Sequence, residues 1–98
     1  MYVTIRLELA VLRSQLDRLL RVVEERHGAI IDLQVDSYWL LETDEMFSLD
    51  RVPAPGVGEV SDDAEELEDM VSRLDEDLTP WHELKHLIGL LEALALLR

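Results

Sequence analysis

The sequence predicts a mainly α fold of the α+β kind: a three-helix core around leucine seams, with a short strand or hairpin between helices 1 and 2. Three observations predict it. Twenty leucines stand against five aromatic residues in a chain of 98, and leucine favours helix where aromatic and β-branched side chains favour strand. Three long stretches carry apolar residues at spacings of three and four, the mark of helices with one buried face. Between the first two of these stretches the apolar period drops to two, the mark of a half-buried strand. The whole length, residues 1 to 98, reads as a single domain, small enough that a partner subunit is a common aid to stability.

The first helix is expected over about residues 4 to 27. Ile5, Leu9, Leu12, Leu16, Leu19 and Val23 alternate spacings of four and three along one seam, and Gly28 after His27 is a natural C-terminal stop. Arg6 and Arg13 flank the seam, where a coiled-coil-like helix places charges that select neighbours. Leu7, Val11, Leu20 and Val22 lie outside it and imply contact from a second side.

A β element is expected over about residues 30 to 41, because Ile31, Leu33 and Val35 alternate with Asp32, Gln34 and Asp36. A lone strand leaves its backbone groups unpaired. Its partner is expected at residues 46 to 52, or in the same strand of another subunit. The Pro53 to Gly58 run reads as irregular, giving a loop over 53 to 60.

The second core helix is expected over about residues 61 to 78, with Ser61 or Asp62 as its cap and Val60, Ala64, Leu67, Val71, Leu74 and Leu78 as its seam. Acids crowd its first turn, where the helix dipole favours them. The last helix is expected over about 80 to 97. Thr79 is a suitable N-cap and Pro80 occupies the first helical position. Trp81, Leu84, Ile88, Leu91 and Ala95 form one stripe, and Leu87, Leu90, Leu94 and Leu97 form a second, too wide an apolar surface for one buried face.

The charge is strongly acidic and local. The formal net charge is -13. Residues 30 to 78 hold 16 of the 22 acids against only Arg51 and Arg73. Direct binding of nucleic acid or of an anionic membrane is disfavoured. The absence of cysteine excludes disulfides and thiolate chemistry. The start carries Arg6 and Glu8 inside what would be the apolar part of a leader, and the longest apolar run is far shorter than a membrane span. The expectation is a soluble, cytoplasmic protein.

His82, Glu83 and His86 match H-E-x-x-H, in which two histidines one turn apart bind one zinc and the glutamate acts as general base. Gly89 and Glu92 extend the match. On a continuous helix, however, Glu92 would lie roughly 9 Å along the axis from His86 and about 120° around it, so it cannot be the third ligand. A zinc-dependent hydrolase acting through His82, Glu83 and His86 is therefore the third-ranked reading, and His82 and His86 are weak metal candidates. No cofactor is expected. The Asp32, Asp36, Glu42 and Asp44 spacing lacks the rhythm of a calcium loop. His27 reads as a capping residue at its helix end, and Tyr38 and Trp39 as hairpin or core residues.

Tyr38-Trp39, the Ser61-Asp62-Asp63 start followed by Glu66-Leu67, and Trp81-His82-x-Leu84-x-His86-Leu87-x-Gly89 together resemble a group of small acidic bacterial proteins of unknown function. The resemblance spans most of the chain after residue 30 and implies no activity and no site. The leading expectation is a non-enzymatic helical protein-protein interaction module, a homodimer or part of a larger assembly, with Leu87, Leu90, Leu94 and Leu97 as contact residues. The alternative is an acidic protein that occupies a basic or nucleic-acid-binding surface of a partner, of the inhibitor, antitoxin or immunity type, through Glu65, Glu66 and Asp69.

Overall fold

The protein is mainly α with a two-stranded antiparallel sheet. The computed structural model describes residues 4 to 97, so the first three residues of the stretch tested for a leader lie outside it. The described residues fall into two compact units divided between Asp32 and Leu33, where the sequence reading treats the chain as one domain.

The first unit holds α1, Leu9–His27. The helix begins later than residue 4 because Thr4 and Ile5 are β-branched and no side chain caps the turn; Glu8, in extended conformation, precedes the first helical residue. It ends as its glycine predicts. Gly28 takes φ 92°, a conformation that disfavours side chains, and its N–H donates to the Glu24 carbonyl at 2.7 Å. Arg26 and His27 complement the C-terminal dipole. No residue of α1 is buried.

The second unit runs through β1 (Ser37–Leu40), the single turn α2 (Thr43–Met46), β2 (Gly56–Glu59), α3 (Val60–Val71), a 3-10 turn (Asp75–Asp77) and α4 (Pro80–Leu94). The strands pair antiparallel with Tyr38 opposite Gly58 and Trp39 opposite Val57. This corrects two expectations. Residues 46 to 52 are not the second strand, because Thr43, Asp44 and Glu45 favour a helical turn with its acids at the N-terminal end. The second strand is the end of the stretch read as loop, since Pro53 and Pro55 only delay it and Gly58 suits it. A Cβ at Gly58 would come within 2.5 Å of the Tyr38 ring carbons Cε2 and Cζ, so the bare backbone there is what lets Tyr38 lie across β2.

α3 starts directly from β2, and its cap comes from another element. Asp36 accepts the Ser61 backbone N–H at 2.8 Å and the Ser61 hydroxyl at 3.0 Å, while its carbonyl accepts the Val60 N–H at 3.0 Å. The expected extension to residue 78 fails for an electrostatic reason. Asp75, Glu76 and Asp77 would lie at the negative end of a continued helix, whereas after a break they begin a new turn. α4 follows its predicted start, with the Thr79 carbonyl accepting the N–H groups of His82 and Glu83 at 2.9 Å each, and ends three residues before Leu97.

α3 and α4 pack on each other and the strands pair beside them. Which faces meet differs from the apolar seams. Val60 and Ala93 are the buried apolar residues among those described, joined by two buried acids, Asp63 and Glu83. Leu67, Val71 and Leu74 of the α3 seam are exposed, as are Trp81, Leu84 and Ile88 of the α4 stripe. On α3 only Val60 of the seam is buried, beside Asp63; on α4 Glu83, Gly89 and Ala93 are buried, with the Leu87, Leu90, Leu94 and Leu97 stripe half-buried beside them.

Candidate functional site

The contact between α3 and α4 is built from two linked polar clusters. Tyr38, one strand residue from the exposed Trp39, donates its phenolic hydrogen to Asp63 Oδ2 at 2.6 Å. The other Asp63 oxygen lies 2.7 Å from His86 Nδ1. A carboxylate can only accept, so Nδ1 carries the hydrogen and Nε2 is left free. Gly89 makes room for this arrangement, because a Cβ there would overlap the Asp63 carboxylate and stand 2.5 Å from the Tyr38 hydroxyl. Burial, the hydrogen bond to Asp63 and the nearby charges of Asp63 and Asp62 push the Tyr38 phenol up to about 12.

One turn away, Arg73 gathers three acids. Its Nη2 bonds Glu66 Oε1 and stands 2.9 Å from Glu83 Oε2, and its Nε is 3.1 Å from Asp69 Oδ2. The contact to Glu83 has the distance of an ion pair without an aligned N–H, and neither Glu83 oxygen has a hydrogen-bond partner. Glu66 is held below the usual carboxylate range, with the neighbouring Glu83 side chain as the largest cause and the Arg73 guanidinium next.

The H-E-x-x-H residues divide between these clusters. His86 belongs to the Asp63 cluster and Glu83 to the Arg73 cluster. His82 is half exposed, its ring centroid 4.7 Å from that of His86 in an edge-on arrangement. One ligand atom from each of Glu66, His82 and His86 lies within 4.8 Å of the others. His82 and His86 also help to line a groove of about 240 Å³, together with Tyr38, Gly58 and Asp63. Glu92 is exposed and takes no part in this group.

Of the other residues singled out from sequence, Glu65 and Asp69 are exposed, while Glu66 is half-buried on Arg73. Leu87, Leu90, Leu94 and Leu97 are half-buried. Asp36, whose spacing from its neighbouring acids does not suit a calcium loop, is the cap of α3. Sequence reasoning missed Asp63, Arg73 and Tyr38 as members of one site. The available signal was the facing of the His82, His86, Gly89 and Ala93 side of α4, whose small residues permit a close helix approach, toward acids spaced three apart on α3.

Neither a family model, a curated protein nor a solved structure matches this chain. Among the described residues, no helix is long and apolar enough to cross a membrane.

Proposed function

We propose that the protein is a non-enzymatic helical interaction module that works as a homodimer, with the seam of α1 as its contact surface. The carrying observation is the bareness of that seam: Leu9, Leu12, Leu16 and Leu19 are 63, 50, 37 and 62% exposed. A helix of this length owes most of its stability in water to packing of its apolar face, so a covered seam is the state in which α1 is stable. A second copy fits as the cover. With Leu9, Leu16 and Val23 at a positions and Leu12 and Leu19 at d positions, Glu8 falls at g and Arg13 at the following e. A parallel pair then brings Glu8 of each copy to Arg13 of the other. Leu20 and Val22, also at e and g, widen the apolar contact. The same pairing takes place in the cytoplasm of the cell and needs neither membrane nor nucleic acid.

Support for the non-enzymatic part comes from Glu83. The glutamate that H-E-x-x-H chemistry would use as a base is 3% exposed and beside Arg73, which favours its role in packing. The acidic-surface alternative draws on Asp62, Glu65 and Asp69, which are exposed on α3, and no longer on Glu66. It predicts partner binding that falls steeply with salt.

Sedimentation or light scattering at micromolar concentration tests the dimer. The expected result is a dimer mass that dissociates on dilution, and a monomer mass for the Leu12→Glu/Leu16→Glu variant. A wild-type monomer at every concentration would overturn the proposal.

A further inference from the structure

We infer that Glu66, His82 and His86 form a binding site for a divalent transition-metal ion of the zinc class, linking α3 to α4. The donor set is two imidazoles and one carboxylate, which suits zinc with a fourth position left open. Zinc bonds of 2.0–2.1 Å in tetrahedral geometry put ligand atoms roughly 3.4 Å apart. The three groups already lie within 4.8 Å, so closure asks for movements of about 1.4 Å. The half-exposed His82 side chain can supply most of this by rotation.

Two further observations distinguish this group from a chance meeting of polar side chains. Asp63, buried and hydrogen-bonded to Nδ1 of His86, leaves Nε2 as the nitrogen that can ligate, which is the arrangement by which a carboxylate orients a ligating histidine. Arg73 bonds one oxygen of Glu66 and so fixes that carboxylate near the two imidazoles. The surrounding charge also favours a cation. Glu66, Asp69 and Glu83 are gathered around a single guanidinium, Asp63 stands against His86, and the nearby Lys85 is engaged by Glu42. The third ligand thus comes from α3, not from Glu92. The site is a clamp between two helices, and it stands or falls independently of α1.

The test is titration of the full chain with zinc chloride by calorimetry, with cobalt(II) absorption as a report of coordination. The expected results are one zinc per chain, a melting temperature raised by several degrees, and the intense visible bands of four-coordinate cobalt. His82→Ala, at an exposed position, should weaken zinc at least tenfold and remove the thermal shift. Glu66→Gln should do the same, and His27→Ala should change neither. Unaltered affinity in a folded Glu66→Gln variant would reduce the site to two histidines and overturn the inference. So would loss of binding in His27→Ala, or no stoichiometric zinc at micromolar protein. If Glu66→Gln loses its helical signal, the cobalt spectrum of the unaltered protein decides, weak six-coordinate bands counting against the site.

Discussion

α1 and the α3–α4 pair invert each other. α1 has the most regular apolar seam in the chain and buries none of it. α3 and α4 carry comparable seams, yet meet through Asp63, Glu66, Arg73, Glu83 and His86. Periodicity shows which face of a helix is apolar. It does not show which face its neighbour selects, and a set of matched charges with a glycine and an alanine at the crossing can select the other one.

The largest test of this contrast is Gly89→Ala. Helix propensity alone would make it stabilising by about 1 kcal/mol. The added Cβ would displace the Asp63 carboxylate and its two hydrogen bonds, so a net loss of about 3 kcal/mol or more is expected in urea denaturation. A gain in stability would break the comparison.

Next in size is Arg73→Met, which strands Glu83 and should cost about 3 kcal/mol. Adding Glu83→Leu should recover most of that loss. Failure of the double variant to recover would mean that the ion pair does not organise the contact.

Tyr38→Phe should cost roughly 2 kcal/mol, as expected for a hydrogen bond to a charged acceptor. It also carries a pH signature. Because the folded phenol is raised to about 12 from an ordinary value of 10, its stabilising contribution is complete below pH 10 and is lost as pH rises from 10 through 12. Ultraviolet titration should show a high-pH tyrosinate phase that is missing in Tyr38→Phe; ionisation of both tyrosines near pH 10 would show that Asp63 does not hold the phenol.

The smallest effect belongs to α1. Leu16→Ala should change the stability of the dilute monomer by no more than about 0.5 kcal/mol, as for an exposed position. At concentrations where copies pair, the same variant should dissociate more readily. A loss of several kcal/mol in the dilute monomer would show that the seam is already covered.

The sequence by itself determined where the three longer helices form, though not the turn α2, and fixed one end of two of them. Gly28 stops α1 and Thr79-Pro80 starts α4 through local backbone chemistry that no distant contact need supply. The change of period after Gly28 announced a β element, but the alternating residues 31 to 36 form no strand and β1 is confined to Ser37–Leu40, short of the expected 30 to 41, because only there does β2 supply backbone partners. Tertiary structure decided the pairing of Tyr38 with Gly58, because a tyrosine ring laid on a glycine is a contact across 20 residues. It also decided that Glu66, Asp63 and Arg73 turn toward His82, His86 and Glu83. Solvated acids and acids gathered at a helix crossing look alike in a sequence, since what separates them is the partner each one meets, and that partner is set by how the helices cross.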